Sequence, residues 1–133
     1  MSEEENKALV RRFFDEIFCK GDPTVANEIL GTDFVFYGPN AGVHGSKDFL
    51  QFTNMPRTAL NIRFTIEVVI ADGDKVATFS IMSGTHLKEF WGIPPSGNQI
   101  RIPRIDNFQI IEGKIREVRT TLDHQGLIQQ LNG

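Results

Sequence analysis

The stretch QIRIPRIDNFQIIEGKIREVRTTL, from Gln99 to Leu122, carries the clearest strand signal in the chain. Apolar and polar residues alternate along both of its halves, and Glu112 and Gly113 separate the halves. This pattern predicts two antiparallel strands, 99–111 and 114–122, joined by a tight turn. Asp106 lies on the face that is otherwise apolar, so the hairpin raises the question of what a carboxylate does inside the protein.

Two further strands are predicted before this hairpin. The segment from Asn61 alternates with period two, and ADGD at 71–74 turns the chain into a second strand that runs from about Lys75 to Phe90. The predicted inward residues of the first strand are Ile62, Phe64, Ile66, Val68 and Ile70. The next turn is GIPPSGN at 92–98, so the second half of the chain forms an antiparallel meander.

The first half of the chain is typical of helices. Ser2 and Glu5 have the spacing of a capping box, and apolar residues recur at three- and four-residue steps until Gly21. The segment GDPTVANEILG predicts a second helix, with Asp22 as its cap and Gly31 after its last residue.

A third helix is predicted in GSKDFLQFTNM at 45–55, with Ser46 as its cap, and a short helix, HQGLIQQLN at 124–132, closes the chain. Asp123 precedes this last helix and has the character of its cap. The loop before the third helix contains Tyr37, Asn40 and His44.

Helices followed by an antiparallel meander predict one α+β domain, residues 1–133, with the helices on one face of a curved sheet. Segments such as FQII and VVIA are apolar on both sides, so both faces of the sheet are expected to be covered. This favours a homodimer formed through the sheet.

Composition limits the partners. The 133 residues carry a net charge of −3 without a basic cluster, which argues against nucleic acid or an anionic membrane as a partner. Eleven phenylalanines can line a cavity as well as fill a core, and a small apolar substrate fits them best. The lone cysteine, Cys19, and the polar N-terminus favour the cytosol, and no Cys/His spacing suits zinc.

The C-terminal half, from Gly84 to Gly133, resembles the SnoaL-like polyketide cyclases, or ester cyclases, of the NTF2-like superfamily. The shared features are GTH at a strand end, GIPPSG in a turn, ID.F in the next strand, EGKI in the hairpin and D..GL..QL at the end of the chain. The resemblance implies a cone of three helices on a strongly bent antiparallel sheet that encloses one apolar pocket. It also implies aldol-type ring closure without metal or cofactor.

The resemblance places the family's acid/base carboxylate at Thr120, where this chain has only a hydroxyl. Asp106 takes a position that the family fills with an inward Asp or His, and we expect it beside Thr120. Surrounded by phenylalanine, its carboxyl is expected to have a raised pKa suited to proton transfer. The alternative is a buried aspartate paired with Arg104 or a backbone amide.

Other residues are candidates for the same pocket. His86 can donate to a carbonyl oxygen, or it can be a hydrogen-bonded wall residue. Arg104 can stabilise an enolate, or it can be a plain ion-pair partner of Asp106. Tyr37, Asn40 and His44 are expected near the pocket mouth. The expected lining residues are Phe14, Phe18, Phe36, Phe52, Met82, Phe90 and Trp91.

Three functions follow from these residues. The first is a cofactor-free cyclase or isomerase acting on a small, apolar or aromatic carbonyl compound, with Asp106, His86 and Thr120 in the catalytic site. The second is a binding or accessory protein that keeps the pocket without the chemistry, supported by Thr120. The third, an epoxide hydrolase, requires two carboxylates around an arginine, and the sequence offers the pair of Arg104 and Asp106 without a second aspartate assigned beside it.

Overall fold

The structure is a computed structural model that describes residues 2–38 and 42–133. Within these ranges there are four α-helices: α1 (Glu3–Arg12), α2 (Pro23–Ile29), α3 (Gly45–Met55) and α4 (His124–Asn132). Two π-helical segments, Phe13–Phe18 and Pro56–Leu60, continue α1 and α3. The six strands are β1 (Leu30–Tyr37), β2 (Gly42–His44), β3 (Arg63–Asp72), β4 (Lys75–Thr85), β5 (Gln99–Ile111) and β6 (Lys114–Leu122).

Helix α1 begins as its sequence predicts. The Ser2 hydroxyl accepts from the Glu5 amide, and the Glu5 carboxylate accepts from the Ser2 amide, so the capping box is confirmed. The first π-helical segment follows α1 directly. The apolar residues along one side of these two segments are buried: Leu9, Val10, Phe13, Phe14, Ile17 and Phe18. These side chains form the floor of the hydrophobic core. None of the helices in the described ranges is long and apolar enough to cross a membrane.

The caps of the other helices agree with the sequence in two cases of three. Asp22 accepts from the amides of Thr24 and Val25 at the start of α2, and Asp123 accepts from the Gly126 amide at the start of α4. The prediction that Ser46 caps α3 is wrong, because α3 already begins at Gly45 and His44 precedes it without a side-chain cap bond.

The prediction that Gly31 ends α2 is also wrong. The helix ends at Ile29, and Leu30 already has extended backbone as the first residue of β1. Gly31 therefore lies inside a strand. A glycine after a helical pattern usually indicates the end of the helix. Here, however, the chain passes from α2 into β1 without a separate turn.

The strands form one open sheet in the order β2-β1-β6-β5-β4-β3. The predicted meander of β3 to β6 is antiparallel throughout, as expected. The sheet as a whole is mixed, however, because β1 pairs with β6 in parallel. The prediction of an antiparallel sheet is therefore wrong for this one pairing, which joins a strand from the first half of the chain to the last strand.

A bulge changes the inward face of β3. The register shifts between Ile66 and Val68, so Phe64 and Ile66 pack on the core, whereas Val68 and Ile70 are exposed on the outer face. The prediction of an unbroken inward row is wrong for these last two residues, because one extra residue reverses which face each later side chain takes. Likewise β4 ends at Thr85 rather than near Phe90.

The helices and the inner face of the sheet enclose a core rich in phenylalanine. Phe13 lies within 5.4 Å, centroid to centroid, of the rings of Phe14, Phe49 and Phe108. At Gly84 the sheet and the second π-helical segment come so close that an added Cβ would lie 2.3 Å from the Leu60 carbonyl oxygen. This close approach determines where the end of α3 meets β4, and so shapes one wall of the pocket.

Candidate active site

A pocket of about 450 Å³ opens between α3, the segment before β5, the start of α4 and the inner face of the sheet. Most of its lining is apolar. The lining side chains include Phe18, Phe36, Phe52, Met55, Leu60, Met82, Phe90, Trp91, Arg104, Thr120, Leu122, His124 and Leu127. Among the polar ones, Arg104 and Thr120 are the buried pair, which gives the pocket one polar end.

Arg104 and Thr120 both bind Asp106. The Arg104 Nε donates to Asp106 Oδ2 at 3.0 Å and lies 3.3 Å from Oδ1, and Nη2 donates to Oδ1 at 3.2 Å. The Thr120 hydroxyl donates to Oδ1 and accepts from Arg104 Nη2 at 3.2 Å. Asp106 is fully buried and is not among the lining residues, so the arginine and the threonine separate the carboxylate from the pocket.

The environment of Arg104 explains how a guanidinium is accommodated among aromatic rings. Its Cζ lies 4.9 Å from the Phe18 ring centroid and 5.1 Å from that of Phe64, where the negative faces of the rings attract a cation. Its Nη1 reaches the Met82 sulfur at 3.7 Å. Asp106 is therefore paired with Arg104, which is the alternative that the sequence left open, and the two charges compensate each other.

Asp106 and Thr120 are brought together as the sequence predicts. They are directly opposed residues of β5 and β6, and a hydrogen bond joins their side chains. The pairing of Asp106 with Arg104 could be anticipated from their two-residue spacing on one strand face. What the sequence could not show is that the carboxylate lies behind the hydroxyl rather than on the pocket surface.

His86 is buried at the end of β4, next to the segment before β5. Its Nδ1 lies 2.8 Å from the Ser96 hydroxyl oxygen and accepts from the Ser96 amide at 3.3 Å. An acceptor Nδ1 leaves the proton of the neutral ring on Nε2, which has no hydrogen-bond partner in the part of the chain that the structure describes. His86 is not among the lining residues of the pocket. A contact with substrate therefore stays a prediction.

The residues expected at the mouth lie elsewhere. Tyr37 and His44 are the last residues of β1 and β2 and not part of a loop, so their predicted placement is wrong. Because side chains alternate along β1, Phe36 faces the pocket and Tyr37 faces outward, where its ring centroid lies 4.3 Å from the Arg119 guanidinium. His44 is exposed, and Asn40 lies outside the described residues.

Six of the seven expected apolar lining residues do line the pocket: Phe18, Phe36, Phe52, Met82, Phe90 and Trp91. The seventh, Phe14, lies outside the lining. Its ring packs between Phe13, Phe64 and Phe108 in the core, with centroids 4.8 to 5.6 Å apart. Phe14 and Phe18 are four residues apart, so the sequence pattern places both on the same face of a helix. Only the packing against the sheet distinguishes Phe14, in the core, from Phe18, in the pocket.

Sequence reasoning missed His124. Its ring stacks on Trp91 with centroids 5.0 Å apart and planes 19° apart, and Trp91 in turn stacks on Phe90 at 4.8 Å. Trp91 has a φ of 51°, in a two-residue turn closed by the Phe90 and Ile93 backbones. The three rings form one side of the pocket mouth. The only signal for His124 was its place beside the Asp123 cap, which gives no hint of a neighbour far away in sequence.

Two titratable groups lie beside the pocket. Burial raises the pKa of the Cys19 thiol to about 11, and the neighbouring Asp15 adds to the effect. Burial lowers the pKa of Arg57, whose Nη1 donates to the carbonyl oxygens of Ile17 and Phe18 at 3.3 and 3.2 Å. Arg57 thereby ties the end of α3 to the end of the first π-helical segment, on both sides of the pocket.

The described residues contain no group of three or more His, Cys, Asp and Glu side chains that could hold a metal ion. Nor does Arg104 meet a second carboxylate within ion-pair distance in the described ranges; its one partner is Asp106. The arrangement of two carboxylates around an arginine, which the epoxide hydrolase hypothesis required, is therefore not found among these residues.

Helices that cover one face of a bent, open sheet and enclose an apolar pocket define the NTF2-like cone fold. The chain belongs to the SnoaL-like polyketide cyclase family, whose model matches residues 8–131. Over 93 residues the chain is 29% identical to the nogalonic acid methyl ester cyclase of Streptomyces nogalater, a match that covers 68% of this chain and 69% of that protein.

Solved structures share the fold. A protein from Jannaschia sp. CCS1, described as a SnoaL-like polyketide cyclase, matches with a TM-score of 0.90 and 24% identity over 98% of this chain and 94% of that one. A LEH-like epoxide hydrolase of M. tuberculosis matches with a TM-score of 0.76 and 17% identity over 98% and 91% of the two chains. Because proteins of different activity share this architecture, the side chains of the pocket must carry the functional argument.

Proposed function

We propose that the protein is a cofactor-independent enzyme that cyclises or isomerises a small, apolar or aromatic carbonyl compound. One observation carries the proposal: the apolar pocket has a buried polar end made of Arg104 and Thr120, and both residues bind the carboxylate of Asp106 behind them. Membership in the family supports a cyclase or isomerase type of reaction.

Arg104 is the residue we assign to the substrate oxygen. Its Nε and Nη2 are used by Asp106 and Thr120, whereas Nη1 contacts the Met82 thioether, a weak acceptor. Nη1 therefore has N–H groups for a carbonyl oxygen at the polar end of the pocket. A cation in an apolar, water-poor site stabilises an enolate oxygen far more than it would in water.

Thr120 and Asp106 are the pair we assign to the proton. Thr120 lines the pocket and donates to Asp106 Oδ1. When the substrate loses a proton from the carbon next to the carbonyl, that proton bonds to Thr120 Oγ1 while the hydroxyl's own proton passes to Asp106. The electron pair of the broken C–H bond becomes the enolate held by Arg104. The proton returns to the substrate oxygen or carbon by the reverse path.

The pocket supports a substrate of limited size and apolar character. A volume of about 450 Å³ lies within the range of small-molecule sites, and the Phe36, Phe52 and Trp91 rings offer flat apolar contact. The pair of Arg104 and Asp106 is neutral overall, which suits an uncharged ketone or ester. The relative's substrate, named as a methyl ester, is of this kind.

Product formation with a matched pair of variants tests this assignment. Wild type, Thr120→Val and Thr121→Val are incubated with nogalonic acid methyl ester and simpler enolisable aryl ketones, and products are analysed by mass spectrometry. We expect conversion by wild type and Thr121→Val, and a loss of roughly 10²- to 10⁴-fold in Thr120→Val. Conversion by Thr120→Val at the wild-type rate would remove Thr120 from the mechanism.

A second candidate function has its own support. Asp106 is buried behind Arg104 and Thr120, and both of its oxygens already accept hydrogen bonds, as in a structural ion pair. This favours a binding or accessory protein that holds a ligand without changing it. Tight binding of the same compounds without any product would support this candidate over the enzyme.

We also propose that the chain forms a homodimer through the outer face of the sheet and works in the cytosol. Val68, Ile70, Ile105 and Ile111 are each more than a third exposed on or beside this face, a larger apolar surface than isolated residues would give. Light scattering should give twice the monomer mass, and Ile70→Lys with Ile105→Lys should give the monomer mass. The single free cysteine supports a reducing compartment.

A further inference from the structure

A row of polar side chains crosses the inner face of the sheet. Thr78 on β4 is directly opposite Asp106 on β5, which is directly opposite Thr120 on β6. Two residues further along β4, Ser80 is opposite Arg104. All five side chains are at most 9% exposed. Opposed residues on neighbouring strands have Cβ atoms about 5 Å apart, so two hydroxyls of β4 flank the ion pair.

These two hydroxyls differ from that of Thr120. Thr120 Oγ1 is bonded to both Arg104 and Asp106, whereas Thr78 Oγ1 and Ser80 Oγ have no hydrogen-bond partner in the described part of the chain. A buried hydroxyl without a partner destabilises a protein relative to the apolar residue of the same size. Native proteins contain few such groups, and two side by side point to a ligand that bonds them.

The carboxylate of Asp106 has an unused acceptor position. Oδ1 accepts from Arg104 and from Thr120, but Oδ2 accepts from Arg104 Nε alone at 3.0 Å. Thr120 lies on the β6 side of Asp106, and Thr78 lies on its β4 side. Neither Thr78 nor Ser80 lines the large pocket. A donor that reached Oδ2 from the β4 side would therefore not compete with a pocket ligand.

We propose that Thr78, Ser80 and Asp106 form a buried water-binding site on the β4 side of the carboxylate. A water molecule there donates to Asp106 and bonds the two hydroxyls, which gives it the two to four polar partners that buried waters have. Thr78 and Ser80 are then positioning residues. In this role, which rests on the proposed function, the water helps to hold the carboxylate in the orientation in which it accepts the proton from Thr120.

Thermal unfolding tests the site without any substrate. The test variants are Thr78→Val and Ser80→Ala on β4, and the controls are Ser83→Ala on the outer face of β4 and Thr121→Val on the outer face of β6. We expect each test variant to melt roughly 2 to 6 °C below wild type, because the water and the carboxylate lose a partner, with the controls unchanged. Test variants that melt at or above the wild-type temperature would overturn the proposal, since removing an unbonded hydroxyl stabilises.

A crystal structure and steady-state kinetics complete the test. The crystal structure should show ordered density within hydrogen-bond distance of Thr78 Oγ1 and Asp106, and apolar contact in its place would refute the site. With a substrate, kcat should fall in both test variants while KM stays nearly unchanged, because a displaced carboxylate slows proton transfer without altering the pocket. An unchanged kcat would refute the positioning role. If no compound is turned over, the proposed function fails while melting and density still decide the water site.

Discussion

The ion pair of Arg104 and Asp106 allows a sharp prediction about stability. Asp106 is 0% and Arg104 is 3% exposed, and the pair is the best-buried ion pair of the described residues. We consider Asp106→Asn, which keeps the shape of the side chain and removes its charge. The guanidinium then remains in the core without a counter-charge, and only neutral groups, among them the new amide oxygen and the hydroxyl of Thr120, still contact it.

The burial of both side chains sets the expected loss of stability. Removing one partner of a buried pair costs about 3 to 5 kcal/mol, and we expect the lower end, about 3 kcal/mol, because the amide oxygen can still accept from Arg104 and Thr120. A small domain is stabilised by only about 5 to 15 kcal/mol in total. Asp106→Asn should thus lose a large share of its stability while it still folds.

Urea unfolding, followed by the fluorescence of Trp91, measures this loss, since the chain has one tryptophan. The matched control is Asp33→Asn, which removes a pair with Arg116 at 3.1 Å whose side chains are 64% and 50% exposed and should cost less than about 1 kcal/mol. The double variant Arg104→Met, Asp106→Leu should recover most of the loss, because it removes both charges. Equal stability of Asp106→Asn and wild type would refute the view that these charges depend on each other.

Three further predictions concern the same region. The double variant Asp106→Thr, Thr120→Asp puts the carboxylate on the pocket surface, where the family resemblance places it. This variant should keep more stability and more turnover than either single variant. Circular dichroism would measure the stability, and product assays would measure the turnover. Cys19 should react with iodoacetamide roughly 100-fold more slowly in the folded protein than in urea at pH 8, because its pKa of about 11 leaves little thiolate; equal rates would contradict its burial. Gly84→Ala should destabilise by more than about 2 kcal/mol in urea unfolding, because its Cβ would lie 2.3 Å from the Leu60 carbonyl oxygen, whereas Gly31→Ala should stay close to wild type.

The two strands and the turn of the β5–β6 hairpin were predictable, but its full register was not. The turn at Glu112 and Gly113 pairs Ile110 with Ile115, and this register alone would place Asp106 opposite Arg119. A bulge between Gln109 and Ile110 shifts the register by one residue and brings Asp106 opposite Thr120. The caps at Ser2 and Asp22 were predictable because their partners lie within three residues in the sequence.

Features that depend on distant contacts could not be predicted. The bulge after Ile66 leaves no mark in the alternation, and the parallel pairing of β1 with β6 joins strands that are far apart in sequence. The stack of Trp91 on His124 likewise unites two segments with no shared pattern. For the candidate site, the sequence therefore identified Arg104, Asp106 and Thr120 and most of the aromatic lining, but neither the stack of Trp91 on His124 nor the order in which the polar groups face the pocket.

Hydrogen–deuterium exchange at the carbon next to the carbonyl of a bound ketone, followed by proton NMR in D₂O, tests the central claim most directly, since it requires enolisation but not ring closure. We predict that wild type exchanges this position and that Thr120→Val exchanges it at least about 100-fold more slowly with nearly unchanged ligand affinity. Equal exchange rates in the two proteins, or no exchange by wild type with a ligand that binds, would contradict the assignment of Thr120 and Asp106 to the proton.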